Sequence, residues 1–545
     1  MAVTKCFQGS PQRSFHALLA LGFVALAWAP ARASEGSGAF VVTALGDTIA
    51  LERYERTGDH LSGVLVFRLA ALRFDYRVAF APGGTVRDMQ SLVRPASASL
   101  STAPTQSALM TWYGDSVLAD ITPGRLERLK SRPGSIPYIN PSIALLEVIV
   151  RRALANTPPL DTVPVFAVAG GRTIPARLQF VNPESVVVSM GSAAFELRIA
   201  RDGTLLSGGV PAQRVVFHRA DSLSESVLKL APPDHSGPVG APYTSETVRI
   251  PTRGGFELEG TLTWPKRPGR LPCVVAITGS GAQDRDGAIS IVKGYRPFWQ
   301  IADTLARRGI AMLRMDDRGF GASGGRFAGS TSADFANDIE DALGWLRTVK
   351  DIDSTRLALL GHSEGGLIAP LVATRLAARG AKLRAMVLMA APAWTGRHIM
   401  QSQNEYALRG RMPGAALDSA LALAMHQVDS LSVVEPWIGF FARYDPVAVA
   451  RRMSNPPVLV LQGETDRQVT MEQAAPLAAA FRAARNGDVT VRVLPATNHL
   501  FLPDPSGDPS GYGTLPDVAL APATLGAIAD WLASRLGSED TRKRK

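Results

Sequence analysis

Six short apolar runs, at 273–277, 310–315, 357–360, 386–389, 458–461 and 489–494, do most to limit what this chain can fold into. Each is too short for a buried helix, and each reads as a strand with both faces covered. The segments between them carry a helical period. Phe335, Ile339, Leu343 and Leu346, for example, share one face of a helix. Strands alternating with amphipathic helices imply a mostly parallel sheet with helices on both sides, an α/β architecture. A hairpin over 247–264 leads into it. Cys273 sits inside the first run, where a small hydrophobe packs well, so it is expected in the core and not as a reactive thiol.

Upstream the rhythm is different. From about 38 to 230 the chain is β-rich, with turn signals at Gly58, Gly83-Gly84, Gly170-Gly171 and Gly203. Leu72, Phe74, Tyr76, Val78 and Phe80 alternate with Arg73, Asp75 and Arg77, which predicts a half-buried strand with one wet face. One helix is expected around 142–154. The whole reads as an antiparallel sheet or partial barrel without catalytic residues. A Pro- and Gly-rich stretch at 231–238 then serves as a linker. The expected domains are therefore a β-rich unit at 34–235 and an α/β unit at 245–537, with a basic tail at 538–545.

The first 33 residues read as an export signal. Lys5 and Arg13 precede an uncharged apolar run from 17 to 28, and Ala31 and Ala33 stand where a signal peptidase reads small residues. That run is well short of the ~20 residues that span a bilayer, and no later stretch is long and charge-free enough to do so. Cleavage after Ala33 would leave an exported protein, periplasmic or extracellular, and would remove Cys6. Cys273 then stands alone, so there is no disulfide framework. The net charge of +10 is scattered beyond the two termini, with no basic run interleaved with aromatics, which argues against a nucleic-acid partner.

Gly361-His362-Ser363-Glu364-Gly365-Gly366 falls between an apolar strand and a helical stretch. A serine in so tight a turn needs glycines where the backbones cross, and the turn lifts its hydroxyl above the sheet's carboxyl edge. Ser363 is the candidate nucleophile. It needs a base oriented by an acid. Of eight histidines, His499 alone follows the last strand; His60, His218 and His235 lie upstream, His362 adjoins the serine, and His398 and His426 lie in an insertion. The acid should follow the preceding strand, where Asp466 is preferred to Glu464. Ser363, Asp466 and His499 thus form the expected triad. The oxyanion donors are taken as the backbone N–H groups of Glu364 and Ser280, with Gly279 the alternative to Ser280. Neither HExxH nor CxxC occurs, so no metal and no cofactor is expected.

In combination these motifs resemble the α/β-hydrolase superfamily, specifically bacterial esterases described as serine aminopeptidase-like. The resemblance extends through Gly279 to Asp286, Arg314 to Ser323, Trp437 to Pro446 and Asn498 to Phe501, and covers about 245–537. It implies hydrolysis of small-molecule carboxylic esters, with short acyl chains preferred, by the same triad. One departure is Gly511-Tyr512-Gly513, where the branch more often has an acid before the tyrosine. The charges at Asp284-Arg285-Asp286 and Asp317-Arg318 read as loop-fixing ion pairs. Residues 395–455 read as a helical lid whose Met400, Tyr406, Met412, Met425, Trp437, Phe440 and Phe441 either pack on the sheet or wall an acyl pocket. Two further readings stand beside the esterase. One is a serine aminopeptidase or prolyl peptidase with Glu364 or Asp284 holding a substrate amine. The other is a binding protein with a vestigial hydrolase.

Overall fold

The computed structural model describes residues 36–537 apart from 45, 69–70, 102, 123–124, 192, 232, 290 and 410–411. The expected export signal, 1–33, and basic tail, 538–545, lie outside the described residues. No helix among those described is long and apolar enough to cross a membrane.

The β-rich region is one sheet of fifteen strands. Eight strands from Gly38–Ala44 to Arg125–Lys130 pair in chain order, as do six from Thr162–Ala167 to Val215–Ala220. The two meanders join where Gly38–Ala44 pairs antiparallel with Val215–Ala220. The short strand Ile136–Tyr138 closes the second edge and is parallel to its neighbour. The predicted helix is present as Ile143–Leu154, with the Ser142 hydroxyl accepting from Leu145 N. Every residue from Ile143 to Val150 is buried, Glu147 included. The helix packs on Asp47–Thr57 and also on Thr162–Ala167, which are far apart in the strand order, so the sheet must curve around it.

Two buried carboxylates hold that helix. Glu52 accepts from Tyr76 Oη (2.6 Å), Ser142 Oγ (2.5 Å), Ile143 N (2.6 Å) and Ala144 N (2.9 Å), at the end where the helix leaves its N–H groups unpaired. Glu147 accepts from Tyr54 Oη (2.8 Å), Leu205 N (2.9 Å) and Arg219 Nη1 (3.1 Å). One expectation needs correction. Leu72–Phe80 is a strand, but its charged face is wet only in part: Arg77 is exposed, whereas Arg73, and Arg94 opposite it on the neighbouring strand, are buried. Both ion-pair with Asp75, and Arg73 also meets Glu225, on a short helix folded back across this face with Leu228 beneath it. Alternation reports the polarity of a face, whereas a distant segment decided its exposure.

The second sheet runs in the order Tyr243–Pro251, Glu257–Pro265, Ala311–Met315, Leu271–Ile277, Ile352–His362, Ala385–Met389, Val458–Gly463, Val489–Leu494. The first two form the antiparallel hairpin, and the last six are mutually parallel. Both faces are covered. Cys273, Val275 and Ile277 enter one core while Val274 and Ala276 enter the other, which is why this strand reads as an unbroken apolar run. Cys273 is buried and unpaired. Helix Ser332–Leu346 begins with a capping box between Thr331 and Asp334 and buries Ile339, Leu343 and Leu346.

Candidate active site

Ser363 lies between strand Ile352–His362, in the middle of the parallel sheet, and helix Glu364–Ala378. Its backbone has φ 54° and ψ −116°, a conformation that costs a non-glycine residue about 1–3 kcal/mol and persists only where the surroundings impose it. Its N–H donates to Met389 O on the adjacent strand (2.9 Å). The glycines allow the turn to close. A Cβ on Gly361 would lie 2.1 Å from Gly365 O, and one on Gly365 would lie 2.3 Å from Ile277 O. Both obstacles are backbone, so neither can move aside.

His499 and Asp466 come from the loops after the last two strands and meet with Nδ1 and Oδ2 2.8 Å apart. Both are buried. Asp466 Oδ1 accepts from Gln468 N (2.8 Å) and Val469 N (2.9 Å), and Gln462 Nε2 donates to Oδ2 (3.1 Å). A carboxylate so held accepts the Nδ1 proton, which leaves Nε2 as the basic nitrogen of His499. Glu464 accepts from Ala496 N (2.8 Å) and braces the loop that carries His499. The elbow's own His362 is buried, with its Nε2 donating to His499 O (2.9 Å). Burial, then the neighbouring His499, push its pKa down to about 4, so it is a neutral donor at pH 7. The sequence offered no cue to this buttress, because it spans 137 residues.

The Gly279-Ser280-Gly281 loop lies against the elbow, and a Cβ on Gly279 would stand 3.5 Å from Ser363 Cβ. Ser280 N makes no hydrogen bond among the described residues. Glu364 N is the first N–H of its helix and has no carbonyl one turn back. The two ends of the loop are joined by Asp317, which accepts from Thr278 Oγ1 (2.7 Å) and Gln283 N (2.9 Å). Burial pushes Asp317 up to about 8.

Residues 287–429 match the family model described as serine aminopeptidase, and residues 436–508 match the prolyl oligopeptidase family. Both matches fall within the C-terminal α/β unit, in line with its resemblance to α/β-hydrolases. Among curated proteins, Esterase EstD of Thermotoga maritima is 29% identical over 264 residues, 45% of this chain. The match spans 58% of that relative's own length. Solved structures similar to the chain include an esterase of Pyrococcus furiosus at 16% identity, covering 56% of this chain and 97% of that one with a TM-score of 0.38. An esterase of Pyrobaculum calidifontis is similar at 20% identity, covering 55% and 87%, with a TM-score of 0.37.

The charged loops of the C-terminal unit depart in part from expectation. Arg285 pairs with Asp316 (2.7 Å) and Glu259 (2.9 Å), and Arg318 with Asp338 (2.7 Å). Asp286 meets Arg314, Arg296 and the linker's His235. Asp317 and Asp284, however, form no ion pair among the described residues: Asp317 ties the 278–283 loop, and Asp284 accepts from Asp286 N (3.1 Å) and Ala288 N (3.0 Å). His235, Asp284 and Asp286 come close enough together to hold a metal ion, but Asp286 is already shared by two guanidinium groups and the imidazole. The cluster serves as the linker's anchor.

The inserted segment forms helices Gly396–Arg409, Gly414–Val434, Pro436–Arg443 and Pro446–Ala450. Its apolar residues divide. Met425 and Phe441 are buried, and Met400 and Trp437 pack on the core's margin, whereas Tyr406 and Met412 are exposed. The cavity beside the oxyanion loop, lined by Thr278, Gly279, Phe335, Ile339 and Ile368 among others, has a volume of about 30 Å³. That is room for one water and not for an acyl chain.

Proposed function

We propose that the protein is a serine hydrolase that cleaves carboxylic esters of short acyl chains through an acyl-enzyme on Ser363. The observation that carries this reading is the strained serine elbow in the same unit as a buried, fully oriented His499–Asp466 pair. In the reaction His499 Nε2 takes the Ser363 hydroxyl proton as Oγ bonds to the acyl carbon. The carbonyl oxygen, now negative, is received by the N–H groups of Ser280 and Glu364 at the positive end of helix Glu364–Ala378. His499 returns the proton to the departing alkoxide, and water repeats the cycle to release the acid.

An ester substrate is favoured over an aminoacyl amide by how the two candidate amine ligands are used. Glu364 is engaged by Ser332 and Trp437, and Asp284 by two backbone N–H groups. Without an amine site the enzyme should favour the better leaving group. The EstD relative bears the name esterase, which agrees with this reading. Export to the periplasm or beyond, with Ser34 as the mature N-terminus, belongs to the same proposal.

The test is labelling with a fluorophosphonate, which should modify Ser363 and be lost in Ser363→Ala. It is paired with kcat/KM on acetyl, butyryl, octanoyl and palmitoyl esters beside alanyl and prolyl amides. Each methylene should add about 0.8 kcal/mol of binding until the pocket is full. An amide turned over faster than every ester would make the protein a peptidase.

A further inference from the structure

One buried carboxyl has no step in this chemistry yet touches the elements that frame it. The Glu364 side chain is 2% exposed. Its Oε1 accepts from Ser332 Oγ (2.6 Å), at the start of helix Ser332–Leu346, and from Trp437 Nε1 (2.9 Å), in the lid helix Pro436–Arg443. Oε2 is buried without a hydrogen-bond partner, a deficit worth about 1–3 kcal/mol that a role in stability alone does not explain. Burial raises its pKa, against the hydrogen bonds that lower it. Trp437 is itself fixed, stacked on the buried Phe441 with centroids 5.2 Å apart. The position of the lid helix is therefore relayed by one indole N–H to the side chain of the residue whose own backbone N–H is one oxyanion donor.

We propose that Glu364 is a positioning residue that couples the lid helix Pro436–Arg443 to the oxyanion donor on its own backbone, so that this N–H is held for catalysis only when Trp437 is seated. This rests on the ester-hydrolase reading above. Trp437→Phe keeps the ring and removes the N–H. It should lower kcat for an acetyl ester about tenfold with KM nearly unchanged, less than the ~100–1000-fold cost of deleting an oxyanion donor. Glu364→Ala should cost at least as much, and the double variant no more than Glu364→Ala alone. Glu364→Gln, which still offers an acceptor, should recover most of the loss.

Affinity for a trifluoromethyl ketone, whose adduct with Ser363 carries an oxyanion, should fall by the same factor as kcat. A residue that only stabilised the fold would move the melting temperature and leave that affinity in place. Additive losses, a raised KM at constant kcat, or a Trp437→Phe variant as active as the parent would each overturn the coupling. If Glu364→Ala does not fold, Trp437→Phe and the ketone still decide it. A parent chain that neither labels nor turns over esters would overturn the hydrolase reading, and this one with it.

Discussion

Two acids stand two positions apart after one strand, and the structure separates them by what each holds. Asp466 faces His499 and is fixed by three donors, whereas Glu464 braces a backbone N–H at the surface. Asp466→Asn should therefore lower kcat by about 10³–10⁴-fold through loss of the oriented tautomer. Glu464→Gln should change it by about twofold at most, as befits a surface brace worth less than ~0.5 kcal/mol. His362 gives a prediction in pH. Its folded pKa lies near 4, below the ordinary 6.5, so between those values the unfolded chain binds more protons. Stability from this residue is then complete above pH 6.5 and is lost as pH falls toward 4, by about 3 kcal/mol in all. Melting temperatures at pH 7 and pH 4.5 should differ more in the parent than in His362→Gln. The Asp466–His499 contact was legible because each of the two follows a strand that the sequence marks. The buttressing role of His362 was not, since nothing local to Gly361-His362-Ser363 reports a carbonyl on the last loop.

Among elements, the nucleophile turn is the most constrained. Gly365→Ala would drive a Cβ to 2.3 Å from Ile277 O, and overpacking against backbone costs about 1–3 kcal/mol or more. A lowered melting temperature together with a lost fluorophosphonate signal is expected, and a variant with parental stability and labelling would show that the turn can relax. The central strands were readable to within a few residues, since a parallel strand buried on both faces must be apolar throughout; the edge strand Val489–Leu494, by contrast, exposes Arg492 and Val493. The strand Leu72–Phe80 shows the limit. Its period of two was read correctly, but the Arg73 end of its polar face is covered by the segment with Glu225 and Leu228, some 150 residues on, while Arg77 stays exposed. The lid gives the same lesson. Its apolar residues look alike in sequence, yet Phe441 is core and Tyr406 is open to solvent.

At the scale of the whole molecule, a fifteen-stranded sheet wraps one helix ahead of the C-terminal α/β unit. Glu52 bridges the two with four accepted hydrogen bonds. Glu52→Ala would leave those donors buried and unpaired, at about 1–3 kcal/mol each before relaxation. Its denaturation midpoint should fall steeply while the folded fraction still labels at Ser363. Protein recovered from its native compartment should begin at Ser34, and an intact Met1 would contradict export. By itself the sequence determined the α/β alternation, the serine elbow and the order Ser363, Asp466, His499, because short-range sterics and strand burial leave their mark on neighbouring residues. Only the tertiary structure decided the closure of the first sheet, the covering of its charged face, the His362 buttress and the Glu364–Trp437 contact. Each of these depends on segments dozens to hundreds of residues apart, whose meeting is set by how whole sheets curve and pack and not by any local pattern.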